Sequence, residues 1–258
     1  MSPQASTASS PPRIAPYLKA VADSFDTVPD TAGIHQGVRP MKQGVPHVRI
    51  VLVPSLKNGG IIVCEGRLEA ALAMNLELDP SVAKFRGQPF FMPGPNNRDV
   101  VCDFAVHQID GIYLVIDVKP SGRLASPRVT ERMRHVRTEL ASSFVPHRIV
   151  TELELEKQPA RQIRDQLWKG VSAPVTESER DQLLELIRSG PVTVGEARAF
   201  GRAAGLPPFA VEKLAIRNLL SFEINAPWGN KTLIGDRHGN NPSAVAGWGS
   251  VQDVVIRL

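Results

Sequence analysis

Three charged residues interrupt apolar sequence near the middle of the chain. Asp103 lies in VVCDFAV and Asp117 lies in YLVIDVKP, with 13 residues between them, and Lys119 follows two residues later. Burying a carboxylate among Val, Ile and Phe costs free energy unless it is paired or binds a cation. Side chains two residues apart lie on the same face of a strand, so we expect Asp117 and Lys119 on one face. Two carboxylates and an ammonium group in one place are suited to a divalent metal ion and a water nucleophile.

Two predicted hairpins and a helix would position these groups. A turn at 109–111 predicts that the two apolar runs pair, which places the two aspartates side by side. Residues 47–64 predict a second hairpin around an Asn-Gly turn, and 65–78 predict a helix with leucines at helical spacing. Glu69 on that helix supplies a third carboxylate. Glu65, four residues earlier on the same helical face, is the alternative.

Further along the chain, a helix is predicted at 129–144, a strand at 145–152 and a helix at 159–168. Strand pairs flanked and followed by helices predict an α/β unit of roughly 120 residues.

The order helix, strand, strand, with an acid on each and an acid-x-Lys motif on the last, resembles the PD-(D/E)xK nuclease superfamily. Over residues 45–170 the chain more closely resembles the endonuclease subunit of heteromeric transposases, the TnsA-like family. The motifs that carry this resemblance are Glu69, Leu78-Asp79-Pro80-Ser81-Val82, Gln88-Pro89, Asp103-Phe104 and Asp117-Val118-Lys119-Pro120.

Two positions depart from the family pattern. Cys102 stands where the family commonly has proline, and Asp117 stands where glutamate or glutamine is usual. Neither departure removes a type of metal ligand, so we expect activity to be retained.

The resemblance implies a restriction-endonuclease-like (PD-(D/E)xK) α/β core and an Mg²⁺- or Mn²⁺-dependent DNA endonuclease. It implies that Asp103, Asp117 and the Val118 carbonyl hold the metal and that Glu69 completes its shell. Lys119 would position the water nucleophile and offset charge on the phosphorane. Cleavage would leave 5′-phosphate and 3′-hydroxyl ends.

Two residues have supporting roles in this hypothesis. Glu65 would flank the metal through a water molecule. Gln88 either braces the site or is a loop residue that satisfies backbone groups.

The basic residues are unevenly distributed. The chain of 258 residues has 30 Lys and Arg and 26 Asp and Glu, and the excess falls in residues 121–220. Arg123, Arg128 and Arg132 follow the second aspartate closely. Arginine forks two hydrogen bonds onto an oxyanion, so we expect these three to bind the phosphate backbone of double-stranded DNA. A solvated helix face is the alternative.

Composition excludes several classes of protein. With 42% apolar and 22% charged residues, the chain can bury a core. No run approaches the roughly 20 apolar residues of a membrane span, and the N-terminus is unlike a secretory signal. Cys64 and Cys102 cannot form a disulfide framework. We therefore expect a cytoplasmic protein that does not enter the membrane.

The sequence predicts a second domain after the nuclease core. Residues 1–15 are predicted to be disordered, and 16–170 form the nuclease domain, with a linker at 171–175. Three short helices and a hairpin over 176–234 predict a winged-helix-like α+β domain, and 235–258 form a C-terminal extension. Charge in 176–234 is nearly balanced, which favours docking of a protein partner over auxiliary contact with DNA.

By resemblance, the enzyme would cut the 5′ ends of a mobile element beside a DDE-type transposase subunit and an AAA+ regulator. Two alternatives stay open. One is a restriction, repair or defence nuclease with the same core, and the other is a non-catalytic DNA-binding adaptor.

Overall fold

The structure is a computed structural model that describes residues 16–39, 49–95 and 98–237. The predicted disordered segment 1–15 and most of the predicted C-terminal extension lie outside these residues. The described chain is mixed α/β with several small sheets. In these ranges no helix combines the length and apolar character needed to cross a bilayer.

The strands of the described chain are β1 (Ile34–His35), β2 (Ile50–Ser55), β3 (Gly60–Glu65), β4 (Val82–Gly87), β5 (Phe91–Met92), β6 (Val100–Val101), β7 (Phe104–Gln108), β8 (Tyr113–Val118), β9 (His147–Val150), β10 (Val192–Thr193), β11 (Leu220–Phe222) and β12 (Leu233–Asp236). Its α-helices are α1 (Pro16–Ser24), α2 (Arg67–Leu78), α3 (Ser121–Leu124), α4 (Pro127–Ser142), α5 (Glu152–Leu155), α6 (Ala160–Leu167), α7 (Glu177–Arg188), α8 (Val194–Ala203) and α9 (Ala210–Ile216). A short 3₁₀ helix, Trp168–Gly170, continues α6.

The central sheet has the order β4-β7-β8-β9. Strands β4, β7 and β8 pair antiparallel, whereas β8 and β9 are parallel and are joined through α3 and α4. The predicted hairpin is confirmed, with Phe104 opposite Ile116. Continuing this register by one residue places Asp103 beside Asp117.

Helices cover both faces of this sheet. Phe104 and Ile116 pack with Leu72 of α2 in one core. Val115 packs with Met133 of α4 in another core, which also includes residues of α1. Because side chains alternate along β8, the odd-numbered residues face α4. Asp117 and Lys119 therefore lie on the side of the sheet that α4 covers.

The predicted helix over 65–78 is wrong at its first residues. Glu65 is the last residue of β3, and α2 begins at Arg67. Gly66 separates the two with φ 113° and ψ 175°, a conformation that is essentially restricted to glycine. Strand β3 can therefore turn directly into α2, and Glu65 does not share a helical face with Glu69.

The C-terminal region contains α7, α8 and α9 and a sheet of order β10-β12-β11. The predicted capping boxes are confirmed: Thr176 and Glu179 cap α7, and Thr193 and Glu196 cap α8. The third helix begins at Ala210, and β12 continues to Asp236, beyond the predicted domain end at 234.

Alternate residues of the predicted linker at 171–175 are buried. Val171, Ala173 and Val175 belong to one apolar core with α6, α7, α8 and α9. All seven residues of α9 are buried, and the Lys213 ammonium donates a hydrogen bond to the Val171 carbonyl. Helix α6, which the sequence analysis assigns to the nuclease domain, therefore packs in the C-terminal core.

Candidate active site

The Lys119 ammonium lies at the centre of a cluster of oxygen atoms at the end of β8. Its Nζ is 2.6 Å from Asp103 Oδ2, 3.0 Å from Asp117 Oδ1 and 3.0 Å from the Val118 carbonyl oxygen. The Val118 N–H also donates to Asp103 Oδ2 at 2.7 Å. The ammonium thus contacts all three predicted metal ligands of the hairpin.

Asp117 is the deepest residue of this cluster. Its side chain is 0% exposed, whereas those of Asp103 and Lys119 are 16% and 14% exposed. His147, the first residue of β9, places its Nε2 2.9 Å from Asp117 Oδ2. Both oxygens of Asp117 are therefore occupied, one by Lys119 and one by His147.

Glu69 approaches the cluster from the first turn of α2. Its Oε2 accepts a hydrogen bond of 2.6 Å from the Glu65 N–H, which ties the side chain across the turn at Gly66. The Glu65 carboxylate pairs with Arg39 at 2.8 Å. Of the two candidate third carboxylates, Glu69 is the one whose charge interacts with Asp103.

The carboxylates of the site have shifted pKa values. Burial and the nearby Asp103 charge raise the pKa of Glu69 to about 7. Burial and the Asp117 charge raise the pKa of Asp103 to about 6, although Lys119 opposes this shift. Burial would raise the pKa of Asp117 as well, but the hydrogen bond from His147 and the Lys119 charge lower it. Perturbed carboxyl groups that line a cleft indicate a functional site.

A cavity of about 620 Å³ opens over the cluster. Glu65, Glu69, Asp103, Val118 and Lys119 line it, together with Arg39, Arg67, Arg123 and Arg132. Arg123 is exposed, and Arg132 is half-buried in the wall formed by α4. Arg128 is exposed at the start of α4 and does not line the cavity. Of the three arginines predicted to bind DNA, two therefore lie beside the acidic cluster.

Gln88 supports the site through its backbone. Its N–H donates to the Asp103 carbonyl at 2.9 Å, and its own carbonyl accepts from the Val38 N–H. The residue has φ 47° and a buried side chain, which does not line the cavity. Both contacts are made by backbone atoms, and the side-chain Oε1 has no hydrogen-bond partner among the described residues, so the contacts do not distinguish the bracing role from that of a loop residue.

The donor atoms of the cluster fit a hard divalent cation. The oxygens around Lys119 Nζ come from two carboxylates and a carbonyl, which are ligands that Mg²⁺ and Mn²⁺ prefer. A cationic group already occupies this position. Among the described residues no three His, Cys, Asp or Glu side chains form a ready-made metal site. A metal ion held by the same oxygens that surround Nζ would have to displace the ammonium from part of the cluster.

Two residues of the site, His147 and Arg39, were not predicted from the sequence. His147 is a polar residue within the predicted strand at 145–152, and only the parallel pairing of β8 and β9 brings it to Asp117. Arg39 lies 26 residues before its partner Glu65, and no local pattern links the two.

Comparison with known proteins gives no assignment. No protein-family model matches the chain, and no curated protein is similar to it at a significant level.

Proposed function

We propose that this protein is a divalent-metal-dependent DNA endonuclease with a PD-(D/E)xK core. The observation that carries the proposal is the convergence of Asp103, Asp117, the Val118 carbonyl and Lys119 at the end of one hairpin. The layered arrangement of α2, the central sheet and α4 is consistent with this core.

Asp103, Asp117 and the Val118 carbonyl would hold the metal, with Glu69 completing its shell. Bound Mg²⁺ or Mn²⁺ would polarise the scissile phosphate and lower the pKa of a water molecule. Lys119 would position the water nucleophile and offset the charge that develops on the phosphate. Arg123 and Arg132 would hold the DNA backbone across the mouth of the cavity.

The resemblance of the core to the TnsA-like family extends the proposal to transposition. The enzyme would cut the 5′ ends of a mobile element together with a DDE-type transposase subunit and an AAA+ regulator. The topology of α7 to β12 is consistent with a winged helix. Its third helix, α9, is covered by the chain itself, which favours docking of a partner over insertion into a DNA groove.

Binding of Mn²⁺ and nicking of plasmid DNA test the proposal together. The wild-type protein should bind Mn²⁺ in calorimetry and nick plasmid DNA, and DNA ligase should reseal the nicks because they carry 5′-phosphate ends. Asp103→Ala and Asp117→Ala should abolish nicking while keeping the far-ultraviolet circular dichroism spectrum. Nicking at the wild-type rate by either variant would contradict the metal site.

One observation favours the non-catalytic alternative, a DNA-binding adaptor. Both oxygens of Asp117 are engaged by Lys119 and His147, so this carboxylate is satisfied without a metal. A protein of this kind would bind DNA but would show no Mn²⁺ binding in calorimetry.

A further inference from the structure

The contact between His147 and Asp117 lies behind the candidate metal site, on the side away from the cavity. His147 Nε2 is 2.9 Å from Asp117 Oδ2, and both side chains are 0% exposed. In the register of β8 and β9, His147 pairs with Val115, so its ring reaches along the sheet face to the next residue on that side. The ring therefore cannot contact DNA or a metal directly, and its influence on the site must pass through Asp117.

Asp117 needs two partners to stay buried as a carboxylate. Lys119 reaches only Oδ1, and without His147 the second oxygen would have no donor among the described side chains. An unsatisfied buried acceptor is unfavourable, and more so when it is charged. His147 Nδ1 has no partner among the described residues. The ring proton is therefore assigned to Nε2, which donates it to the Asp117 carboxylate.

The same contact fixes the orientation of the carboxylate. With Oδ2 held by the ring, Oδ1 is directed to the point where the Lys119 ammonium meets Asp103 and the Val118 carbonyl. We propose that His147 is a positioning residue that orients Asp117 for divalent metal binding. This inference rests on the proposed nuclease function, and it concerns a residue that touches neither substrate nor metal.

The test is a calorimetric titration of the full chain with Mn²⁺ at one pH, without DNA. It compares three variants: His147→Leu, His147→Gln and the control His107→Leu. His147→Leu removes the donor at similar volume, and we expect the Kd for Mn²⁺ to rise about 10- to 100-fold, as is typical when an outer-shell partner is lost. His147→Gln places an amide N–H near the position of Nε2 and should restore most of the affinity.

His107→Leu is the matched control. His107 lies on the neighbouring strand β7 and stacks on Tyr113 with ring centroids 4.7 Å apart, but it does not contact the acidic cluster. We expect its loss to lower the thermal unfolding temperature and to leave the Kd for Mn²⁺ unchanged. A residue with only a structural role at position 147 would behave in the same way.

A double-mutant cycle with Asp117→Asn completes the test. Because His147 acts through Asp117, His147→Leu should cause no further loss of Mn²⁺ affinity in the Asp117→Asn background. If His147→Leu does not fold, His147→Asn replaces it, since its shorter amide cannot reach Asp117. An unchanged Kd in His147→Leu, or in His147→Asn where that variant replaces it, overturns the positioning role. A wild-type protein that binds no Mn²⁺ overturns the proposed function itself.

Discussion

At the scale of single residues, the site is an acidic cluster already neutralised in part by one lysine. The Lys119 ammonium contacts two carboxylates and a carbonyl, and these attractions raise its pKa against the opposing effect of burial. A divalent cation brings a larger charge to the same oxygens. If the proposed metal site is correct, lysine and metal would compete for part of one set of donors, and this competition can be measured.

Lys119→Met should tighten Mn²⁺ binding and abolish DNA cleavage. Removing the ammonium leaves two buried carboxylates facing each other without a cation, and a charge interaction of about 1.4 kcal/mol corresponds to a tenfold change in affinity. We expect at least about a tenfold fall in the Kd measured by calorimetry. Lys84→Met, on the exposed side of β4, is the control and should change neither property. Weaker Mn²⁺ binding by Lys119→Met would show that the lysine supports the ion and does not compete with it.

Asp103 and Glu69 should make the metal-free protein less stable as the pH rises from about 4 to about 7. In the folded state the pKa of Asp103 is raised from 3.8 to about 6 and that of Glu69 from 4.5 to about 7. The folded state therefore binds protons more tightly, and the stability from this binding is present below pH 4 and lost through pH 7. The lowered pKa of Asp117 has the opposite sign, but its effect falls below pH 4.

Urea unfolding between pH 4 and pH 8 measures this effect. Comparison with Glu69→Gln isolates the contribution of Glu69, which should be on the order of 3 kcal/mol at most. Glutamine keeps the acceptor for the Glu65 N–H but cannot titrate, so the fall in unfolding free energy should be smaller in the variant. Parallel pH profiles for the two proteins would contradict the raised pKa of Glu69.

At the scale of elements, the turn between β3 and α2 determines where Glu69 lies. Gly66→Ala should destabilise the protein by about 1–3 kcal/mol, because alanine is strained at φ 113° and ψ 175°. A change in where α2 begins should also displace Glu69, so Mn²⁺ affinity should fall as well. Gly122→Ala in α3 is the control, since its added Cβ meets open space and its φ is not in the positive region. Urea unfolding measures the stability of both variants, and calorimetry measures their affinity for Mn²⁺. Equal values for Gly66→Ala and the control would contradict a strained turn at Gly66.

Arg123 of α3 and Arg132 of α4 line the cavity, whereas other arginines of α4 are exposed to solvent. Replacing Arg123 and Arg132 by glutamine should weaken binding to all duplex sequences. It should also reduce the slope of the logarithm of the binding constant against the logarithm of the salt concentration, by the amount expected for the loss of about two phosphate contacts. Arg134→Gln with Arg137→Gln removes the same charge from exposed positions of α4. Fluorescence anisotropy at several salt concentrations measures this slope. An equal change of slope in the two double variants would contradict a specific role in DNA binding for the arginines that line the cavity.

Local sequence patterns predicted most of these elements. Asn-Gly and Asp-Gly turns between apolar runs identified both hairpins, and leucine spacing identified α2. The patterns failed where a distant contact decides the outcome. Glu65 has helix propensity but continues β3, because its pairing with Ile50 and the freedom of Gly66 outweigh that propensity. His147 could not be placed, because parallel pairing across α4 leaves no local signal.

At the scale of the whole molecule, two cores meet at the end of α6. Trp168 packs against the core of the central sheet and also against the C-terminal core. The sequence predicted a change near residue 171 from strand-rich sequence to short capped helices, but it assigned 171–175 to a linker. The alternation of Val171, Ala173 and Val175 indicated that these side chains are buried. The surface that buries them is formed in part by α9, about 40 residues further along the chain, and could not be predicted locally.

The C-terminal region should fold independently only if it includes α6. In a fragment of residues 176–234, the buried α9 would lose the cover of α6 and of 171–175, and the Lys213 ammonium would lose its acceptor at Val171. A fragment of residues 160–237 keeps these contacts and the two hydrogen bonds that join Gln162 to the backbone of Trp228. We expect the longer fragment to melt cooperatively in circular dichroism and the shorter one to show no cooperative transition. Gln162→Ala in the longer fragment, which leaves the apolar core intact, should lower its melting temperature by only a few degrees. Equal melting of the two fragments would instead support a domain boundary at the predicted linker.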